Sequence, residues 1–335
     1  MAVYTQLGAE TMAAIIAEFG VGPLVSAKGI AEGVSNSNWL IETEGPRSDG
    51  ASGPARFILT MYEKRLDLED LPFFLGLLDH LAARGCPVPR TIHDSDGNAF
   101  RLHEGKALAL IEFLPGVSVS DPTPAQAEAV GAALAQIHLA AADFPMARAN
   151  GLGLADWVEL AEACGADGLH EIDPRLDRLI ADELVHLAHH WPRDLPQSVI
   201  HADLFPDNVL ILGDRVSGLI DFYFACTDML AYDLAICLNA WCFEPDHSFN
   251  VTKGRALLQG YTRVRALSEA EASALPTLAR GAALRFLLTR LVDWLDVPPG
   301  ALVRPKDPLE YFRKLRFHQK ARSVQDYGVE ARELA

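Results

Sequence analysis

Residues 199–222 read Val199-Ile200-His201-Ala202-Asp203-Leu204-Phe205-Pro206-Asp207-Asn208-Val209-Leu210-Ile211-Leu212-Gly213-Asp214-Arg215-Val216-Ser217-Gly218-Leu219-Ile220-Asp221-Phe222. The pattern is H-x-D-x-x-x-x-N, an apolar hairpin, then I-D-F. Leu204-Phe205-Pro206-Asp207 is rich in turn formers and curls the chain so that Asp203 and Asn208 face each other. Val209–Leu212 fits a buried strand, Gly213-Asp214 a tight turn, and 216–220 the returning strand. The hairpin predicts that Asp221 comes back beside Asn208.

One carboxylate, one carboxamide and a second carboxylate around one point suit a phosphoryl group in transfer. Charge on that group is neutralised by metal ions, which favour oxygen ligands. In kinase-type loops the first Asp meets the acceptor hydroxyl; the Asn and the second Asp hold metal. The corresponding candidates are Asp203 as catalytic group and Asn208 and Asp221 as metal ligands. Taken singly, a helix-capping Asp and a turn Asn explain these residues equally well; the full set in register with a hairpin is what points to chemistry. His201 either supports the loop through a hydrogen bond or titrates in the reaction, the former being the simpler role.

Around this segment the chain changes character. Its 335 residues are enough for two lobes and a substantial core, and half of them are apolar. Apolar runs predict strands at 24–30, 37–43, 56–64, 99–103 and 107–113, with a Gly/Ser/Pro-rich loop at 44–55. Helices are expected at 5–20 and over Phe74, Leu77, Leu78 and Leu81, which share one helical face before Gly85. Leu114-Pro115-Gly116 breaks the pattern, and beyond it helices are expected from Thr123-Pro124-Ala125-Gln126 and at 156–163, 174–191, 228–243, 253–264, 268–295 and 308–322. The expectation is α+β: a strand-rich lobe over 1–114 and a mainly helical lobe over 115–335 that holds the hairpin.

The turn Gly29 to Asn38 is a candidate phosphate cover. Gly29 and Gly33 permit close backbone approach, and Ser35, Asn36, Ser37 and Asn38 offer short polar groups and amides for an anion nest. The segment 110–114 ends the first lobe; there the backbone groups of Glu112 and Leu114 are candidate contacts for a nucleotide base, or the segment is a plain linker.

The net charge of −16 argues against nucleic acid or an anionic membrane as partner. Five cysteines without metal-ligand spacing fit buried free thiols in a reducing cytoplasm. The N-terminal stretch has no basic n-region and is interrupted by Glu10 and Glu18, unlike a signal peptide, and no apolar run reaches the length of a membrane span. Sequence leaves the oligomeric state open.

H-A-D-L-F-P-D-N with I-D-F, G-x-A-L-A-Q-I-H ending at His138, and L-P-G at 114–116 resemble the aminoglycoside phosphotransferase/choline kinase superfamily over nearly the whole chain. Within it, the stretches beginning at Gly29, Phe57, Asp70 and Ile220 resemble the homoserine kinases of this fold, which are distinct from the GHMP type. The resemblance implies a bilobal protein-kinase-like fold with an antiparallel-sheet N-lobe, use of ATP and Mg²⁺, and phosphorylation of the side-chain hydroxyl of L-homoserine toward threonine. A substrate with an ammonium and a carboxylate needs an acidic and a basic anchor, for which Tyr223, Asp228, Asp233 and Arg285 are candidates. Asp233 is equally suited to bracing the next helix, and Arg285 to a surface position. A kinase for choline, an aminoglycoside or another small alcohol is the alternative, and a non-catalytic nucleotide-binding module or a metal hydrolase built on H-x-D a more distant one. One departure stands out: where the superfamily carries a strand lysine for the α/β-phosphates, this chain has Leu59-Thr60-Met61. Lys64, or Arg65, is the nearest substitute in sequence.

Overall fold

In the computed structural model the described residues are 7–30, 36–45, 54–63, 67–297 and 305–334. The chain divides into two compact units, Met1–Gly116 with Ser217–Tyr223, and Val117–Val216 with Phe224–Ala335. Residues 217–223, Asp221 included, thus group with the strand-rich unit rather than the helical one expected for them.

In the first unit, strands β1 (Leu24–Gly29), β2 (Asn36–Thr43), β3 (Ala55–Tyr62), β4 (Thr91–Ile92), β5 (Arg101–His103) and β6 (Lys106–Glu112) form one sheet in the order β1-β2-β3-β6-β4, with β5 also on β6. All pairings are antiparallel. Alternation decides the faces. Trp39, Ile41, Leu59, Met61, Leu108 and Leu110 bury one face against Met12, Ile15 and Ile16 of helix α1 (Ala9–Glu18). Tyr62, Ala107 and Ala109 turn the other way, onto Leu71 and Leu75 of α2 (Leu71–Ala83).

The second unit carries α3 (Pro124–Ala140), α4 (Leu154–Cys164), α5 (Ala166–Ile172), α6 (Leu176–His190), α7 (Leu230–Trp241), α8 (Val251–Thr262), α9 (Glu269–Leu295) and α10 (Pro308–His318). The expected start of α3 is present as a capping box. Gln126 N donates to Thr123 Oγ1 at 3.2 Å, and Thr123 N to Gln126 Oε1 at 3.0 Å. Its stripe Val130, Leu134, Ile137 and Ala141 is buried as the periodicity required. Helices α3 and α8 meet through glycine: a Cβ on Gly131 would lie 2.1 Å from the Leu257 carbonyl oxygen, and one on Gly260 2.0 Å from that of Glu128. Side chains at either position would force the two backbones apart.

β8 (Val209–Leu212) and β9 (Arg215–Leu219) form the expected two-stranded sheet. A second two-stranded sheet was not expected: β7 (Gln197–Ile200) pairs antiparallel with β10 (Cys226–Met229). The last two residues of β10 overlap the helix expected from 228, and four residues are too few to announce a strand. The helix there starts at Leu230 instead. Helix α5 and strand β4 were likewise missed, being short. Among the described residues no helix is long and apolar enough to cross a membrane. All five cysteines are free, and four are buried.

Candidate active site

β7 delivers His201 to the loop that precedes β8. Both peptide planes around Ala202 are held by buried side chains. The Asp233 carboxylate accepts from His201 N at 2.7 Å and from Ala202 N at 2.9 Å. The peptide joining Ala202 to Asp203 is gripped at its oxygen by Arg285 Nη1 at 2.6 Å, while Asp203 N donates to His201 Nδ1 at 3.3 Å. Ala202 sits at φ +62°, a left-handed conformation that a non-glycine residue keeps only when its surroundings insist. His201 is fully buried, so its ring acts as a prop for the Asp203 amide.

Asn208 ends the short 3₁₀ turn Pro206–Asn208. Its Nδ2 donates to the Asp203 carbonyl at 2.8 Å and to Asp203 Oδ2 at 3.2 Å. The expected facing of Asp203 and Asn208 is therefore present, and with the amide nitrogen committed to Asp203 the Asn208 Oδ1 is the atom suited to a hard cation. Leu204, between them, is anchored through its carbonyl by Trp241 Nε1 at 2.8 Å.

Asp233 is fully buried and its oxygens serve the loop amides and His138 Nε2, the last at 3.1 Å. His138 Nδ1 in turn meets the Tyr261 hydroxyl at 2.8 Å. Burial alone would raise the Asp233 carboxyl, but hydrogen bonds and charge from His138 and His201 outweigh it and hold it below the usual range. This corrects the expectation of Asp233 as a substrate anchor: a carboxylate with no exposed surface and both oxygens engaged is a brace. His138, at the end of one of the quoted motifs and on the apolar stripe of α3, is the partner of Asp233 that the sequence reading left without a role.

Arg285, on α9, is 2% exposed, which rules out the surface position considered for it. Its guanidinium lies over the Phe286 ring at 4.5 Å, and its Nε has no hydrogen-bond partner. The hydroxyls of Tyr232 and Tyr311 are likewise buried and unpartnered. Asp228 is partly buried and accepts from Asn150 Nδ2 at 2.7 Å and from Met229 N at 2.7 Å.

The candidates of the strand-rich unit sort by sheet face. Gly33, Ser35 and Lys64, with Arg65, lie outside the described residues. Asn36 and Asn38 share one face of β2, and Ser37 between them points to the other. Asn38 Oδ1 accepts from Thr60 Oγ1 at 2.8 Å. Ser37 is fully buried with Trp39 and Ile41, and its hydroxyl donates to Glu63 Oε1 at 2.6 Å. The other oxygen of Glu63 accepts from Lys106 Nζ at 2.5 Å. A phosphate contact from the Ser37 side chain is thereby corrected: its alternation carries it to the wrong face. The Glu112 amide, expected to meet a base, donates to the Arg90 carbonyl at 2.9 Å, and the Glu112 carboxylate takes the Arg90 side chain at 3.2 Å. The carbonyl of Glu112 and the backbone of the half-buried Leu114, beyond the end of β6, stay as the candidates of the segment.

Tyr223 is also corrected. Its hydroxyl pairs with that of Tyr62 at 3.0 Å, and its ring meets Tyr62 and Phe74 edge-on at 5.4 and 5.8 Å. It belongs to the packing of the sheet's α2 side. Asp221, two residues earlier, has φ +66° and is solvent-exposed. Protein packed around its carboxyl nonetheless raises it to about 6; exposure governs what reaches the group, crowding governs its acidity. Among the described residues no cluster of three or more His, Cys, Asp or Glu is placed to hold a metal. Asn208 Oδ1 and the Asp221 carboxylate are each hard oxygen donors of the kind that Mg²⁺ accepts.

Residues 26–267 match the family model described as phosphotransferase enzyme family. A homoserine kinase of Nitrobacter hamburgensis is 57% identical over 331 residues, 99% of this chain and 98% of that protein. One of Xanthobacter autotrophicus is 57% identical over 332 residues, covering 99% and 100%. Among solved structures, an amicoumacin kinase in complex with AMP-PNP, Ca²⁺ and Ami has a TM-score of 0.67 at 13% identity, with 98% of each chain covered. A Plasmodium vivax ethanolamine kinase has a TM-score of 0.62 at 14% identity, covering 97% of this chain and 94% of that one. At such identities these neighbours speak for the fold, which is kinase-like. A family match across most of the chain, joined to full-length relatives at 57% identity, makes the chain a member of the phosphotransferase enzyme family.

Proposed function

We propose that this chain is a homoserine kinase, transferring the γ-phosphoryl group of ATP to the side-chain hydroxyl of L-homoserine. The observation that carries the reading is full-length identity of 57% to curated homoserine kinases, in a chain whose H-x-D-x-x-x-x-N loop is braced by buried side chains. In this reading Asp203 orients the acceptor hydroxyl and takes its proton late in transfer. Asn208, through Oδ1, and Asp221 hold Mg²⁺, which when bound neutralises charge on the β- and γ-phosphates. The turn around Gly33, Ser35, Asn36 and Asn38 covers the phosphates, and Leu114 lies where the base is gripped. Lys64 is retained as the candidate cation in place of the strand lysine, since Lys106 is already paired with Glu63. Asp228 is the anchor for the ammonium group. Arg285 is the candidate for the carboxylate through its Nε, which has no hydrogen-bond partner, while its Nη1 holds the Ala202 carbonyl. Free buried thiols suit the reducing cytoplasm as its compartment.

ADP release across a panel of L-homoserine, L-serine, choline and an aminoglycoside, with and without Mg²⁺, tests the reading. L-Homoserine is expected to give the highest kcat/KM, and omission of Mg²⁺ to abolish turnover. L-Serine keeps both charges but is one methylene shorter, so its hydroxyl falls short of Asp203, and misplacement of about 1 Å costs about 10²-fold. Choline leaves the basic anchor unpaired. Preference for choline or the aminoglycoside would overturn the homoserine assignment and leave the kinase standing.

A further inference from the structure

Arg285 makes a contact that carboxylate binding does not require. We infer that it is a positioning residue for the base, fixing the peptide plane from which Asp203 springs. The inference rests on the reading of Asp203 as the base.

The peptide between Ala202 and Asp203 is held at both ends: its oxygen by Arg285 Nη1 at 2.6 Å, its N–H by His201 Nδ1 at 3.3 Å. The shorter and charge-assisted of the two bonds is the one from Arg285. Ala202 itself is at φ +62°, a conformation it leaves unless both its amide and its carbonyl are restrained. Asp233 restrains the amide at 2.9 Å and Arg285 the carbonyl. Rotation of this plane moves the Asp203 Cα and swings the carboxylate away from the acceptor.

The guanidinium has little freedom of its own. It is 2% exposed, lies 4.5 Å over the Phe286 ring, and projects from α9, a helix of 27 residues. A neutral donor would hold the carbonyl at less desolvation cost. Placing a buried cation there ties the geometry of the base to the same side chain that is proposed to receive the substrate carboxylate.

The decisive variant is Arg285→Met, assayed with L-homoserine and with 3-amino-1-propanol, which is homoserine without its carboxylate. The second acceptor makes no use of a carboxylate anchor, so it isolates positioning. We expect kcat to fall roughly 10²-fold for both acceptors, the usual scale for a misplaced reacting group. KM for ATP should hold, while the melting temperature should fall modestly, because the buried Ala202 carbonyl is left without its donor. Arg285→Lys, which offers one donor to the Ala202 carbonyl, should restore part of kcat for both. A loss confined to L-homoserine, or a raised KM with kcat intact, would reduce Arg285 to an anchor and overturn the inference. If turnover of the amino alcohol is too slow to follow, the kcat-against-KM split for homoserine decides alone. Wild-type turnover by Asp203→Asn is a different failure: it removes the base assignment itself, and is read independently of any Arg285 variant.

Discussion

The helical unit and the strand-rich unit hold their candidate residues by different physics. In the helical unit, the loop bearing Asp203 is set by buried ionisable groups: Asp233 on two amides, Arg285 on a carbonyl, His138 behind Asp233. Further along the same unit, Glu310 lies between Lys314 and Arg290. Burial would raise its carboxyl, but those two cations drive it down to about 2. In the strand-rich unit the groups packed on the α2 side of the sheet around Thr60 and Tyr62 are neutral. Thr60 stands where the superfamily resemblance implies a lysine, bonded to Asn38, and two tyrosine hydroxyls pair beside it. Buried charge costs desolvation and tolerates few geometries. At the Asp203 loop it holds Ala202 in an unfavourable conformation, whereas on the α2 side of the sheet neutral packing suffices.

The difference can be broken or sharpened by substitution. The largest effect is expected at Asp203. Asp203→Asn should lower kcat by roughly 10²–10⁴-fold with ATP affinity nearly unchanged, measured by steady-state kinetics and nucleotide titration. If ATP binding collapsed while kcat held, the residue would belong to the nucleotide site.

Next is the brace. Asp233→Ala strands the His201 and Ala202 amides in a dry interior, at about 1–3 kcal/mol for each donor left unpaired. Urea unfolding should show the loss, and an unchanged midpoint would mean the loop is held by other means.

A smaller effect should follow pH. His318 is 1% exposed, between the Tyr327 hydroxyl at 2.9 Å and Asn239 Oδ1 at 3.1 Å. Burial pushes its ring down to about 3, with the Lys314 charge adding to the effect. A folded-state value below the unfolded one, about 6.5, means the neutral ring favours the fold. That stability is complete above the unfolded value and is lost as pH falls from there toward about 3. In His318→Gln the acid slope of unfolding free energy should flatten over this window; a slope identical to wild type would place the acid sensitivity elsewhere.

The smallest net effect belongs to the strand-rich unit. Tyr223→Phe leaves the buried Tyr62 hydroxyl without its partner and should cost about 1–3 kcal/mol, whereas adding Tyr62→Phe should bring stability back near wild type. Thermal melts of the two single variants and the double give the cycle. A double variant as unstable as the sum of the singles would contradict the neutral-packing account of this face.

How much of this was legible beforehand depended on whether the signal was local. The hairpin β8–β9, the capping box of α3 and the alternation of β2 depend on neighbours within a few residues, and the chain announced all three. So did the pairing of Asp203 with Asn208, because five residues around a proline turn leave little choice. The sheet faces were legible in part: alternation separates Ser37 from Asn36 and Asn38, although all three had been grouped as phosphate contacts. Strands β7 and β10 were not legible, since each takes its strand partner from a distant stretch of the chain.

The primary structure settled which residues are chemically capable: the carboxylates, the carboxamide, and the order of strands before helices. Only the tertiary structure decided which of them are open to a substrate and which are consumed in holding the others. Asp233 and Asp228 look alike in sequence, five residues apart, yet one is sealed and spends both oxygens on a loop while the other is partly exposed. Arg285 is 83 positions from the carbonyl it grips. Local pattern reflects interactions a few bonds long, but burial and partner choice are set by which distant segments exclude water together. That is a property of the packed chain, and no window of sequence contains it.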